Sequence, residues 1–334
     1  MSGDRTLNAE KLRATTRVAT RALDNVVDMV NTGVARVDST SRANRRLGLG
    51  IMGLADMLVR QRVGYATERG RSAAAEAMRT INVESHAESR RLAAEKGSFQ
   101  NIEHSIYASD PHRNAALLTI APTGTISNLI DVSGGVEPLF ALSYRRVVGS
   151  GANKVVFSYV NDDFKYALCE LEDEGVIAAE QKDEIITQVV RHGSLRKIDP
   201  ALSELLPTWM HEVFVVAGDI APEDHVRMQA EMQRYVCNSI SKTINLPYEA
   251  TVEDVMSVYM LGHRLGCRGL TVYRSGSRAV EVLTVGGDAP IAAAAPVLEK
   301  TEASPSCPDC GGALRKSEGC TMCDNECGFA LCGR

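Results

Sequence analysis

Six of the nine cysteines crowd the last 28 residues, and their spacing is that of metal and redox chemistry rather than of core packing. Cys307-x2-Cys310-x9-Cys320-x2-Cys323 has the paired-knuckle spacing of a tetrahedral zinc site, and Gly311-Gly312 follows the first pair where a tight turn serves such a knuckle. Cys327 and Cys332 are then left over, and two such thiols can close a reversible disulfide if the chain brings them within bonding range. A second assignment is open. Cys327-Gly328 resembles the end of a zinc-ribbon turn, so Cys323 and Cys327 can form the second knuckle, which leaves Cys320 and Cys332 as the spare thiols.

The other candidate is the stretch Ala121-Pro122-Thr123-Gly124-Thr125-Ile126-Ser127. It follows a short apolar run and places a glycine, two threonines and a serine at a possible helix start, where backbone N–H groups, hydroxyls and the helix dipole stabilise a phosphate without net positive charge. An ordinary capped strand-to-helix turn fits the same residues. The Gly-Lys-Ser/Thr ending of a nucleotide-hydrolase loop is missing, which disfavours that function. Gly48-Leu49-Gly50-Ile51-Met52-Gly53 matches the dinucleotide-binding G-x-G-x-x-G, but the residues before it are polar and basic where an apolar strand is required. Those glycines are therefore read as permitting close packing where a helix begins. Glu137, alone in a loop, is read as a solvated carboxylate. The seven histidines form no metal-ligand pair, and Cys169, Cys237 and Cys267 are read as small buried hydrophobes.

The elements that must position these groups read as follows. Apolar residues recur at three and four over residues 8–30, the stripe of an amphipathic helix, and a second helix follows from about Gly50. Residues 68–95 are rich in Ala, Glu and Arg without proline, a long helix that Gly97 stops. Residues 115–120 read as a buried strand, and residues 162–172, 178–192, 222–239 and 251–265 as helices, the last opening on a Thr-x-x-Asp cap. A final short strand is expected at residues 269–273. Small residues and prolines then mark residues 281–303 as a flexible linker between a body, residues 1–280, and the cysteine-rich tail, residues 304–334. With 44% hydrophobic residues the chain can bury a large core, and a net charge of −5 argues against binding DNA or an anionic membrane. Neither a signal peptide nor a spanning helix is expected, which implies a cytoplasmic protein.

In order along the chain, the segment from Asn44 to Asp56, the 121–127 loop, Gly135-Val136-Glu137-Pro138-Leu139-Phe140, Ser241-Lys242-Thr243-Ile244-Asn245-Leu246-Pro247 and Gly269-Leu270-Thr271-Val272-Tyr273-Arg274 resemble the ribonucleotide reductase catalytic subunit. The tail and the Pro-Thr-Gly-Thr-Ile-Ser form of the loop resemble the adenosylcobalamin-dependent class II enzymes. The resemblance implies an α/β fold, the C-terminal part of a ten-stranded barrel, helix-rich, with a small zinc-ribbon-like tail. It implies that residues 121–127 hold the phosphates of a ribonucleotide di- or triphosphate and that Tyr273 stands on the last barrel strand. It also implies that Cys327 and Cys332 reduce an active-site disulfide and are themselves reduced by thioredoxin or glutaredoxin. The family's Asn-x-Cys-x-Glu finger loop, which carries the radical cysteine, is not found in these 334 residues. The chain is therefore expected to need an N-terminal reductase half, with which it shares adenosylcobalamin. A fragment of a class I large subunit and a non-catalytic zinc-ribbon adaptor are the alternative readings.

Overall fold

The computed structural model describes residues 5–148 and 155–277 and, in the tail, 310, 314–317, 320–323, 325, 327 and 330–332. The chain divides into two compact units, Met1–Gly287 and Asp288–Arg334. The expected linker, residues 281–303, lies outside the described residues.

In the first unit the helices are α1 (Ala9–Asp28), α2 (Ala35–Asn44), α3 (Leu54–Arg60), α4 (Glu68–Lys96) and α5 (Gly124–Leu129), followed by a hairpin of β1 (Ser143–Val148) and β2 (Val155–Val160). Then come α6 (Asp162–Asp173), α7 (Ala179–His192), α8 (Pro200–Ser203), α9 (Thr208–Val213), α10 (Pro222–Gln233), β3 (Thr243–Leu246), α11 (Val252–Arg264) and β4 (Thr271–Arg274). Caps set several of the boundaries. Asn8 accepts the Lys11 N–H at 2.9 Å to open α1, Thr67 accepts the Gly70 N–H at 3.0 Å to open α4, and Gly97, at φ +83°, ends α4. Along α1, Arg17 and Arg21 pair with Glu84, Glu88 and Glu95 of α4, while Leu12, Leu23 and Val27 face the core.

Four segments lie side by side in parallel. Leu49 bridges Leu118, Ile120 bridges Ile240, and β3 pairs β4 in the register Thr243↔Thr271. The expected strand at residues 115–120 is thus the second member of the row, and the stretch from Asn238 to Leu246 is the third. Gly50 lets the first two members approach, because a Cβ there would lie 2.5 Å from the Thr119 carbonyl oxygen. Helices α1, α3, α4 and α10 pack on this row through Leu54, Leu58, Met78, Met228 and Met232, and a second apolar cluster joins α6, α7 and α9 around Phe164, Leu168, Ile185 and Met210. No helix among the described residues is long and apolar enough to cross a membrane.

The helix expected over residues 222–239 stops at Gln233. Beyond it the backbone joins the strand row: the Asn238 N–H donates to Leu118 O at 3.0 Å, and the Gln233 side-chain amide donates to the carbonyls of Val236 and Asn238 that helix unwinding releases. The hairpin β1–β2 and helices α2, α8 and α9 had no expectation from sequence. In the second unit, β5 (Leu314–Ser317), β6 (Cys320–Cys323) and β7 (Ala330–Cys332) form an antiparallel sheet in that order.

One buried polar node ties α1, α2 and the strand row together. The fully buried Asp24 accepts from Arg45 Nε at 2.9 Å and from Asn114 Nδ2 at 2.9 Å, and Asn114 also donates to Arg45 O at 3.1 Å. Arg45 makes a second pair with Asp28, and that contact holds the Asp28 carboxyl below its ordinary range. Removing one member leaves a buried charge without its partner. Asp24→Ala should therefore destabilise the body by about 3 kcal/mol, the low end of that class because Asp28 stays, whereas Arg17→Ala on the surface ladder should cost under about 1 kcal/mol. Urea unfolding midpoints of the two variants check this; similar losses would remove Asp24 from its role as a node.

Candidate functional site

The 121–127 loop is held by backbone contacts. Thr123 stands in the left-handed region at φ +55°, a conformation that costs a β-branched residue about 1–3 kcal/mol and persists only where its surroundings enforce it. Enforcement comes from Gly134 and Gly135. The Gly135 N–H donates to Thr123 Oγ1 at 2.9 Å, and a Cβ at Gly134 or Gly135 would lie 2.7 Å from Pro122 O or 2.8 Å from Ala121 O. The Ser127 N–H donates to Thr123 O at 2.9 Å, and Ser127 itself is buried. The first-turn N–H groups of α5, at Gly124, Thr125 and Ile126, have no carbonyl partner within the helix.

The glycine-rich segment before α3 supports that loop from behind. The Gly53 N–H donates to Ser133 O at 2.8 Å, Ser133 Oγ accepts from the Ala55 N–H at 3.1 Å, and Asp56 Oδ2 accepts from the Ser133 N–H at 2.7 Å. Before Gly48 stands α2 and not a strand, and the close-packing reading fits Gly48 and Gly50, whereas Gly53 is required by its φ of +75°.

An open cleft of about 1260 Å³ gathers the separate motifs. Pro122, Gly124 and Ser127 of the loop line it, together with Glu137, Thr243, Asn245 and Tyr273. Glu137 departs from its expected solvated role. Its Oε1 accepts from the Thr243 N–H at 2.7 Å and its Oε2 accepts from Lys242 Nζ at 2.9 Å. Lys242 is fully buried and also donates to His225 Nδ1 at 2.8 Å and to Thr243 O at 3.0 Å. Burial, then the charge of Lys242, pushes the His225 imidazole down to about 3, so the ring is neutral, accepts at Nδ1 and donates from Nε2 to Ala217 O. Burial also lowers Lys242, against the opposing pull of Glu137. Lys242 and His225 were given no role in a site from sequence, although a signal was there: Ile240, Lys242, Ile244 and Leu246 alternate on one face of a strand, and all four are buried.

The sequence profile of the ribonucleotide reductase barrel domain matches residues 1–112 and 108–273. The chain belongs to the ribonucleotide reductase barrel family. It is 36% identical over 297 residues to the vitamin B12-dependent ribonucleoside-diphosphate reductase of Mycobacterium tuberculosis H37Rv, covering 88% of this chain and 40% of that protein. It is also 36% identical over 282 residues to the enzyme of the same name from Thermoplasma acidophilum, covering 84% of this chain and 35% of the relative. The chain thus spans less than half the length of these relatives. The alpha subunit of the Actinobacillus ureae class Id ribonucleotide reductase has the same fold, with a TM-score of 0.63 at 20% identity over 78% of this chain and 46% of that one.

In the tail, the thiol sulfurs of Cys310, Cys323 and Cys327 lie within 4.8 Å of one another. Cys310 Sγ is 3.4 Å from Cys323 Sγ, which also accepts the Asn325 N–H at 3.4 Å. Four thiolates about 2.3 Å from a zinc ion stand about 3.8 Å apart, so this donor set fits zinc. Cys327, expected in the redox pair, stands here among the candidate ligands. Cys307 lies outside the described residues. The backbones of Cys320 and Cys332 are paired across β6 and β7, and their side chains lie outside the described set. Cys169 is exposed on α6, against the expectation of a buried hydrophobe, and Cys237 and Cys267 are half-buried.

The His225 geometry fixes a pH dependence. A folded value near 3, against about 6.5 in the unfolded chain, means that only the unfolded chain takes up a proton between those limits. The contribution of His225 to stability is therefore fully present above pH ~6.5 and is lost as the pH falls toward 3. His225→Gln keeps an acceptor for Lys242 and removes the titration. The stability difference between wild type and this variant should shift against the wild type by up to about 1.4 kcal/mol per pH unit below 6.5. Urea unfolding at pH 7, 6, 5 and 4 measures it, and a difference that stays constant would refute the neutral, buried imidazole.

Proposed function

We propose that this chain is the C-terminal component of a B12-dependent ribonucleoside di- or triphosphate reductase, active only with an N-terminal half that supplies the radical cysteine. One observation carries the reading: a single cleft collects the 121–127 loop, Glu137, the β3 residues Thr243 and Asn245, and Tyr273 of β4, four motifs separated by up to about 150 residues of sequence. The names of the relatives supply the reaction class and the cofactor.

In this reading the α5 first-turn amides and the hydroxyls of Thr125 and Ser127 bind the substrate phosphates, so that an anion is held locally by a chain of net charge −5. Glu137 and Lys242 neutralise each other and leave that anion site unopposed. Adenosylcobalamin, shared with the N-terminal half, would supply the radical that starts each turnover. Within this chain Tyr144 and Tyr159, stacked at 5.2 Å, and Phe140, edge-on to Tyr144 at 6.5 Å, line the cleft and would offer aromatic surface to such a group.

The tail divides its six cysteines between two tasks. Cys307, Cys310, Cys323 and Cys327 bind zinc, the assignment that the three gathered sulfurs support over the one using Cys320. Cys320 and Cys332 are the relay. Cross-strand neighbours lie about 4.5–5.5 Å apart at Cα, inside the disulfide range. One thiolate of the pair attacks the active-site disulfide left by substrate reduction, and the second resolves the mixed disulfide. The active site regains two thiols and the tail holds a disulfide, which thioredoxin or glutaredoxin then reduces.

Dithiol-driven reduction of ribonucleotides, by the chain alone and mixed with an N-terminal reductase half from the same genome, tests the central statement. Turnover is expected only in the mixture and only with adenosylcobalamin; turnover by the chain alone would overturn the division of labour. For the tail, zinc content and reductant dependence separate the two assignments. Cys323→Ser and Cys327→Ser should lose zinc. Cys320→Ser and Cys332→Ser should keep it and should retain dithiothreitol-driven turnover while losing the thioredoxin-driven reaction. Zinc loss in Cys320→Ser would instead restore the knuckle of Cys320 and Cys323.

A further inference from the structure

We propose that Glu137, Lys242 and His225 form a buried clamp that positions the 121–127 loop against the strand β3, so that both walls of the cleft keep one spacing. The functional consequence rests on the reductase reading above; the clamp itself rests on geometry.

An ammonium group has three N–H donors, and each donor of Lys242 meets one acceptor on a different part of the fold: Glu137 in the loop after α5, His225 on α10, and the backbone of β3 at Thr243. Glu137 closes the figure by accepting the Thr243 N–H, and the Tyr65 hydroxyl donates to Val136 O next to it. The Tyr65 ring lies 5.9 Å from the Lys242 ammonium, close enough for a cation–π contact. Apolar side chains of similar volume would fill this space at no loss of stability in many proteins. What they would not do is fix direction. Hydrogen bonds constrain angle as well as distance, and here they act one step from a tightly packed joint. Gly134 and Gly135 precede Glu137 and touch the carbonyls of Pro122 and Ala121 so closely that neither has room for a Cβ. A rotation that swings Glu137 away from Lys242 must therefore push on the strained Thr123 and on the loop it begins.

The side chain of Glu137 retains 29% exposure on the cleft wall, while Lys242 retains none. The clamp thus reaches the site from behind, and its members are positioning residues rather than groups that act on a substrate.

Hydrogen–deuterium exchange on the 334-residue chain tests this without any ligand, so the clamp can fail while the reductase reading stands, and the reverse. Glu137→Gln alone strands a buried ammonium and can unfold the body. The double variant Glu137→Gln with Lys242→Met removes the charge together with its partner, and it should remain folded with α4 amide protection unchanged. In it, the Ser127 and Gly135 amides, both tied to Thr123, should exchange at least tenfold faster. Unchanged exchange at those two amides in a folded double variant would overturn the proposal. So would a uniform rise that includes α4, because the network would then serve global stability and not the loop.

Discussion

The stretch from Asn238 to Leu246 gives its backbone to two neighbours at once. Asn238 and Ser241 donate to Leu118 and Ile120 on one side, and Thr243–Leu246 pair with Thr271–Arg274 on the other. Backbone groups buried in a parallel row have no recourse to water, so this pairing is obligatory and the segment cannot slip by one residue without reversing its faces. That constraint determines much of the rest. It sends Lys242 inward between Ile240 and Ile244, where only a complete set of acceptors makes a lysine tolerable, and it turns Thr243 and Asn245 to the cleft. It also ends α10 at Gln233, because the next residues are already committed to the row.

The loop follows the same logic at shorter range. Its unusual backbone at Thr123 is held by two glycines whose missing side chains make the contact possible, and these are held in turn by Ser133, α3 and Asp56. Strain stored in a segment that is enforced from several sides gives pre-organisation: the first-turn N–H groups of α5 would need no further ordering to receive an anion. The electrostatics agree. Lys242 is cancelled by Glu137 and His225 is neutral, so an anion is favoured by local dipoles and not by an excess of positive side chains.

Elements with a strong apolar stripe were legible from the residues alone. Helix α1 falls within two residues of the bounds its stripe predicts, and so does α4, which is read instead from its Ala-, Glu- and Arg-rich run and the stop at Gly97. Helix α2 was not legible because its single buried residue is Asp38, so no stripe marks it. Pro122, Gly124 and Ser127 of the loop, found by pattern, and Tyr273, singled out by the resemblance, line one cleft. Glu137 was misread because its partner lies 105 residues away, and no local pattern encodes a contact made through a strand pairing. In the tail, spacing left two assignments open, because it does not encode which thiols the folded chain gathers; among the described side chains those of Cys310, Cys323 and Cys327 meet.

Among the described residues, the outer edges of the parallel row, at residues 47–49 and at β4, pair with no further strand. Exposed edges of this kind invite association with other chains, and proteins ordinarily cover, charge or close them. Here the row is part of a fold whose relatives are more than twice as long as the matched stretch. Read as one arc of a ten-stranded barrel, the open edges are the places where further strands dock. The row carries the 121–127 loop and, behind it, the network of Glu137, Lys242 and His225. Because the loop is enforced from within this arc, through Gly134, Gly135, Asp56 and Lys242, its shape does not depend on the strands that would close the barrel. A ligand entering the cleft would then meet a loop that is already formed.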